Sequence, residues 1–214
     1  MNTKIEKGIS RLRKDILLMA GEVESQVYRS FQSLVEQNRD LAKEVRVDDT
    51  NINSMEMDLE SECLEILALD HPVASDLRFV LATMRIVNSL ERMADLAAGV
   101  AKRGSKISKS KDIVVMPSAL LGMMNSTTAM IKNVIESLAS DDTLLARRVR
   151  ESDDEVDELR KEVLSWAQSS IADLTATSIS IITIATKIER IADLATNIAE
   201  DVIFAVEGEN VRHS

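Results

Sequence analysis

Aromatic side chains are nearly missing: one Trp, one Tyr and three Phe stand among 214 residues. Single-stranded nucleic acid is held on aromatic platforms in basic grooves. With a net charge of -10 besides, the chain is expected to bind no nucleic acid. The shortage also argues against a β-sandwich, whose strands favour aromatic and β-branched residues. Proline occurs twice and glycine six times, so breaks are few and connections short. The single cysteine, Cys63, excludes an internal disulfide framework and fits a reducing compartment. The opening "MNTKIEKGISRLRKD" lacks the apolar centre of a signal peptide. The most apolar run, "SISIITIATKI" at 178–188, falls well short of the roughly 18 residues a membrane span needs. These absences together predict a soluble, cytoplasmic protein, peripheral to a membrane only through its partners.

What is present is Ile, Leu, Val, Ala and Met, the palette of helix-on-helix packing. Ile5, Ile9, Leu12, Ile16, Met19, Val23, Val27, Phe31 and Leu34 recur at steps of three and four, which predicts one long amphipathic helix. "EQNRD" interrupts it, and Leu41, Val45, Ile52, Met55, Leu59 and Ile66 mark a second helix. "LDHP" ends that one, because a residue before proline leaves the α region. Pro72 is expected to open a third helix reaching about Lys102, since its missing N–H costs nothing in a first turn. "RGSKISKSKDIVVMP" at 103–117 has the look of a solvated linker.

The plan then repeats. Leu121 to Leu138 predicts a fourth helix, "SDD" at 140–142 a turn with an N-cap, and Leu145 to Trp166 a fifth helix. A last helix is expected from Ile171 to about Ala205. The second and fifth segments align with an offset of 104, Asp49 on Asp153; the third and sixth align with an offset of 98, Glu91 on Glu189. We therefore expect an all-α fold of two tandem antiparallel three-helix bundles: residues 1–104, a linker at 105–115, and residues 116–214.

The repeat carries chemistry. Glu91 and Asp95 are four apart and share a helix face, with Asn88 extending the row. Glu189, Asp193, Asn197 and Glu200 form the equivalent row. Asp49, Asn53, Glu56 and Glu60 run beside the apolar seam of the second segment, and Asp153, Asp157 and Arg160 beside that of the fifth. Antiparallel neighbours would bring these rows face to face. Crowded carboxylates repel, and a cation between them turns repulsion into attraction. Oxygen donors from facing helices suit a hard cation such as Mg²⁺, Mn²⁺, Ca²⁺ or iron. A single acidic pair is common on a solvated face; the same pattern in both halves argues for a metal or multi-carboxylate site. Arg92 and Arg190, which follow the glutamates, read as surface arginines.

At "LERMADLAAGVA" (90–101), "IERIADLATNIAEDVIF" (188–204) and "HPVASDLRFVLATMRIVNSLER" (71–92) the chain resembles the PhoU family, over essentially its whole length. The resemblance implies two similar three-helix bundles. It implies a negative regulator of the phosphate regulon and of phosphate uptake, acting between the ATPase subunit of a phosphate ABC transporter and a sensor histidine kinase. It also implies bound metal: iron or zinc clusters, or Mg²⁺ or Mn²⁺. By position the ligands would be Glu91 and Asp95 with Asp49 and Asn53 opposite, and Glu189 and Asp193 with Asp153 and Asp157 opposite, Asn197 adding to the second site. A homodimer is expected. There are departures. Ala94 and Ala192 replace the family's usual glycine, Gly99 stands where the second half has Asn197, and Arg160 stands where the first half has Glu56.

No catalytic constellation competes with a binding role, and no cofactor fingerprint is present beyond the carboxylates. His71 and His213 are the only histidines, and neither belongs to an ExxH motif. Cys63 and Met123, Met124 and Met130 read as core residues. The alternatives are a metal-dependent phosphoester hydrolase at the carboxylate rows and a metal-free helical adaptor for another transporter.

Overall fold

A computed structural model describes residues 3–70, 72, 74–108, 116–169 and 176–211. Among them there is no strand. The helices are α1 (Thr3–Val35), α2 (Arg39–Glu65), α3 (Ser75–Ile107), α4 (Ser118–Ser140), α5 (Thr143–Glu151), α6 (Asp153–Ser169) and α7 (Ala176–Glu207). The all-α, two-unit plan holds: α1–α3 form one unit and α4–α7 the other.

The duplication extends to the turns. Gln37 and Asp141, 104 apart in sequence, both take left-handed backbone, with φ of 52° and 54°. The next residue in each case caps the following helix. Asn38 accepts from Leu41 N at 3.0 Å, and Asp142 accepts from Leu144 N and Leu145 N, each at 3.0 Å. In both turns the capping residue's own N–H closes back on a helix carbonyl, Asn38 on Ser33 at 2.9 Å and Asp142 on Ser137 at 3.1 Å. This is the Schellman closure, which satisfies the last carbonyls of a helix. Two turns built alike hold α2 antiparallel to α1 and α5–α6 antiparallel to α4.

Three expectations are corrected. The helix expected over Leu145–Trp166 is interrupted at Ser152, between α5 and α6. Ser152 N–H is shared between the Arg148 and Val149 carbonyls, and its hydroxyl also bonds Arg148 O at 2.9 Å. Serine back-bonding favours a bend, although Ser89 makes the same bond within the unbroken α3. In the first half the same position is Asp48, which has no such bond and stays helical. Pro72 does not open α3; it is non-helical, and α3 begins at Ser75 after Ala74, whose φ is 47°. The segment Ile66–Asp70 is instead wound as a π-helix at the end of α2. Finally, α3 runs past Lys102 to Ile107, so the expected linker is shorter at its start. The rest of that linker (109–115), the expected start of the last helix (171–175), His71 and His213 lie outside the described residues.

The two units share one core. A continuous buried cluster runs from Leu12 and Ile16 of α1 through Met93 and Ala97 of α3 to Ile191 and Ala195 of α7 and Met123 of α4. The most extensive helix pair is α3 with α7, one from each unit. They run antiparallel: Arg78 lies by Gly208, Arg85 by Asp201 and Lys187 by Gly99. Alanines 94 and 97 on α3 and 192, 195 and 199 on α7 are fully buried in the shared core, and Ala101 packs with Ala42 and Val45 of α2. Met123, Met124 and Met130 are core residues, as expected.

Ile191 is fully buried in this shared cluster. Ile191→Ala should cost about 2–5 kcal/mol and lower the melting temperature of both halves together. Scanning calorimetry should show one transition for the wild type and the variant. Two resolved transitions, with only one displaced, would contradict a shared core.

Candidate functional site

The helix pairing brings the predicted carboxylates together. On the first unit, Asp49 and Glu56 of α2 and Glu91 and Asp95 of α3 lie within each other's fields. Burial raises the pKa of Asp49, with Asp95 adding to the rise. Burial, Glu60 and Asp95 raise Glu56. Burial raises Glu91, followed by Asp95, Glu56 and Asp49, against a small pull from Arg92. Asn53 is exposed on the same helix as Asp49. Gln26 of α1 supports this row: its Nε2 donates to Val45 O at 3.0 Å and faces Asp49 Oδ1 at 3.5 Å. Gln26 was not singled out from sequence. Its one signal is a polar residue between the apolar seam positions Val23 and Val27, where it is buried.

The second unit repeats the arrangement on α6 and α7. The carboxyl of Asp153 is pushed up to about 6 by burial, then by Asp193, Asp157 and Asp154. Thr196 approaches Asp153 and pulls the other way, although its buried Oγ1 makes no hydrogen bond of good geometry. Burial raises Asp193, with Asp157 adding to it and Arg190 and Arg160 opposing. Burial likewise raises Glu189 against the field of Arg160.

The two rows differ in one built-in charge. Arg160 of α6 stands 3.7 Å from Glu189, an ion pair too long for a hydrogen bond. Its counterpart in the first unit is Glu56, a further acid. On the facing helix the second row therefore carries a cation where the first carries an acid. Glu200, expected to continue the second row, pairs instead with Arg150 at 3.4 Å. Asn197 turns away from α6 and lines a cavity against α3. Among the described residues no three Asp, Glu, His or Cys side chains converge closely enough to cage a metal ion. The donor set, all oxygen and mutually repelling, is that of a hard cation rather than of zinc, which favours nitrogen and sulfur.

Elsewhere the chain offers little chemistry. Cys63 is fully buried, and burial beside Glu62 and Glu60 pushes its thiol up to about 12, so it is no nucleophile at neutral pH. Among the described residues no helix is long and apolar enough to cross a membrane.

Comparison with known proteins agrees with the duplication. The family model described as "PhoU domain" matches twice, at residues 16–104 and 120–202. The chain is 34% identical over 209 residues to the "Phosphate-specific transport system accessory protein PhoU homolog" of Zymomonas mobilis, covering 96% of this chain and 88% of that one. It is 30% identical over 209 residues to the "Phosphate-specific transport system accessory protein PhoU" of Escherichia coli, covering 96% and 86%. The crystal structure of PhoU from Pseudomonas aeruginosa superposes with a TM-score of 0.89 at 31% identity, over 95% of this chain and 99% of that chain. A PhoU structure from Streptococcus pneumoniae, 23% identical, shares the fold with a TM-score of 0.89.

The raised carboxyls fix a pH dependence. An acid whose folded-state pKa lies above its ordinary value costs stability when ionised. For Asp153 that cost is absent below about 3.8 and complete above about 6. In chelator, Asp153→Asn should therefore melt higher than wild type at pH 7.5, and the difference should shrink as pH falls from 7 towards 4. With Asp153 half-exposed and its field screened, about 1 kcal/mol or 2–4 °C is expected. A variant that melts lower than wild type at pH 7.5 would contradict the repulsion described here.

Proposed function

This chain belongs to the PhoU family, and on that footing we propose that it is a regulatory accessory protein of a phosphate-specific transport system. In this reading it lowers phosphate uptake and represses the phosphate regulon when phosphate is plentiful. It does so by docking, as a cytoplasmic homodimer, on the ATPase subunit of a phosphate ABC transporter and on a sensor histidine kinase. It carries no catalysis of its own. The observation that supports this most is the match of both halves to one domain, with relatives named as transport accessory proteins aligning over nearly the whole chain.

The carboxylate rows give the protein a way to depend on metal. Asp49, Glu56, Glu91 and Asp95, with Asn53 at the edge, would hold a hard cation such as iron, manganese or magnesium at the first row. Asp153, Asp157, Glu189 and Asp193 would do so at the second, in competition with Arg160. A bound cation would supply charge that offsets the mutual repulsion of each row. The residues themselves fix what that does: α2 is drawn to α3, and α6 to α7, along the faces beside the central seam.

The regulatory reading is tested in a strain lacking its own family member, where alkaline phosphatase stays on in abundant phosphate. This chain should restore repression, and Glu91→Ala/Asp95→Ala should not. Failure of the wild type, expressed and folded, would overturn the reading.

The metal reading has its own test. Manganese at 100 times its Kd should stabilise the purified chain by about 2.7 kcal/mol. Glu91→Ala/Asp95→Ala should lose more of that gain than Glu189→Ala/Asp193→Ala. Arg160→Glu should add a second equivalent of bound metal. An unchanged melting curve with metal, in wild type and Arg160→Glu alike, would exclude both rows as cation sites.

A further inference from the structure

The α3–α7 seam carries a feature separate from the carboxylate rows. A cavity of about 350 Å³ opens between Arg85, Asn88, Ser89 and Arg92 of α3 and Asn197 of α7. Its polar lining is rich in donors, with two guanidinium groups and two amides, and no carboxylate lines it. Arg85 is held in place: one guanidinium nitrogen reaches the buried Asp201 at 3.4 Å, and the group lies 5.1 Å over the Phe204 ring. Arg92 forms no ion pair or hydrogen bond among the described residues, although Glu91 feels its field. The Ser89 hydroxyl donates to Arg85 O at 3.0 Å and so fixes the wall between the two arginines.

The pseudo-equivalent place on the other half is closed, and the manner of its closing is informative. With the offset of 98, Ser89 corresponds to Lys187 and Asn197 to Gly99. Lys187 lies across Gly99, its Nζ only 2.6 Å from where a Cβ would stand. Any larger residue at 99 would displace the end of that side chain. One half thus fills this place with its own ammonium group, in the fields of Arg190, Arg103 and Lys102 and of the first-row acid Asp95. The other half leaves it open and lines it with donors.

We propose that the open cavity binds a small dianionic oxyanion of the phosphate class, gripped by the Arg85 and Arg92 guanidinium groups and the amides of Asn88 and Asn197. Guanidinium forks match phosphate oxygens two at a time, and charge-assisted bonds of this kind are the stronger ones. Asn197 then serves this cavity rather than the second carboxylate row. The site does not rest on the regulatory role proposed above, because binding is read on the purified chain alone.

The test is calorimetric titration of the EDTA-treated chain with inorganic phosphate at constant ionic strength, so that metal-held phosphate is excluded. Glycerol 3-phosphate and flotation with phosphatidic acid vesicles, both phosphate monoesters, are parallel arms. Saturable binding of inorganic phosphate identifies a free-anion site. Binding of glycerol 3-phosphate or vesicles alone assigns the same grip to a phosphate ester. In whichever arm binds, Arg92→Met should weaken binding about tenfold or more. Ser89→Lys/Asn197→Gly, which copies the closed half, should do the same while keeping the helical circular dichroism of the wild type. Lys187→Ala should bind as wild type does. No saturable binding in any arm overturns the site. So does binding that Arg92→Met leaves intact, or that Lys187→Ala weakens as much as Arg92→Met does.

Discussion

The antiparallel packing of α3 against α7 is the constraint on which everything else in this molecule depends. Each carries one of the two facing acid rows of its unit, and each is the most buried helix of its unit. The exchange of Arg85 with Asp201, and the seating of Lys187 across Gly99, fix their register. Once that seam is set, α2 can only pack outside α3 and α6 outside α7. The two carboxylate rows then fall on either flank of a single central pair. The core is continuous across the pair, so the duplicated units behave as one body rather than as beads on a linker.

Electrostatics makes the flanks unlike. Burying acids beside acids raises their pKa values and leaves a store of repulsion on each side. In the second row Arg160 relieves part of it through Glu189; in the first row Glu56 adds to it. The same asymmetry recurs on the seam, where Lys187 closes one half and the cavity beside Asn197 stays open in the other. The two copies of each arrangement thus differ at a few positions, Glu56 against Arg160 on the flanks and Ser89 and Asn197 against Lys187 and Gly99 on the seam.

Much of this was legible in the sequence, for a physical reason. Apolar steps of three and four specify helices and their buried faces directly, and a repeated offset aligns Asp49 with Asp153 and Glu91 with Glu189. The N-cap at Asp142 followed from local chemistry alone. What escaped depends on small local competitions. Ser152 and Asp48 look interchangeable on a helix face, yet the chain stays helical through Asp48 and is interrupted at Ser152. Pro72 is suited to a helix start, yet the chain first spends Ile66–Asp70 in a π-turn and enters α3 through the strained Ala74. Gln26 and Thr196 support the acid rows from positions that sequence periodicity assigns to packing. Asn197, four residues after Asp193, also lines the cavity against α3, which periodicity alone does not reveal.

The central claim is that the facing carboxylate rows are cation sites made unequal by Arg160. Anomalous diffraction from crystals grown with manganese tests it most directly. The account predicts a strong peak between α2 and α3, near Asp49, Glu56, Glu91 and Asp95, and a weak peak or none between α6 and α7. Equal peaks on both flanks, or none on either, would contradict it.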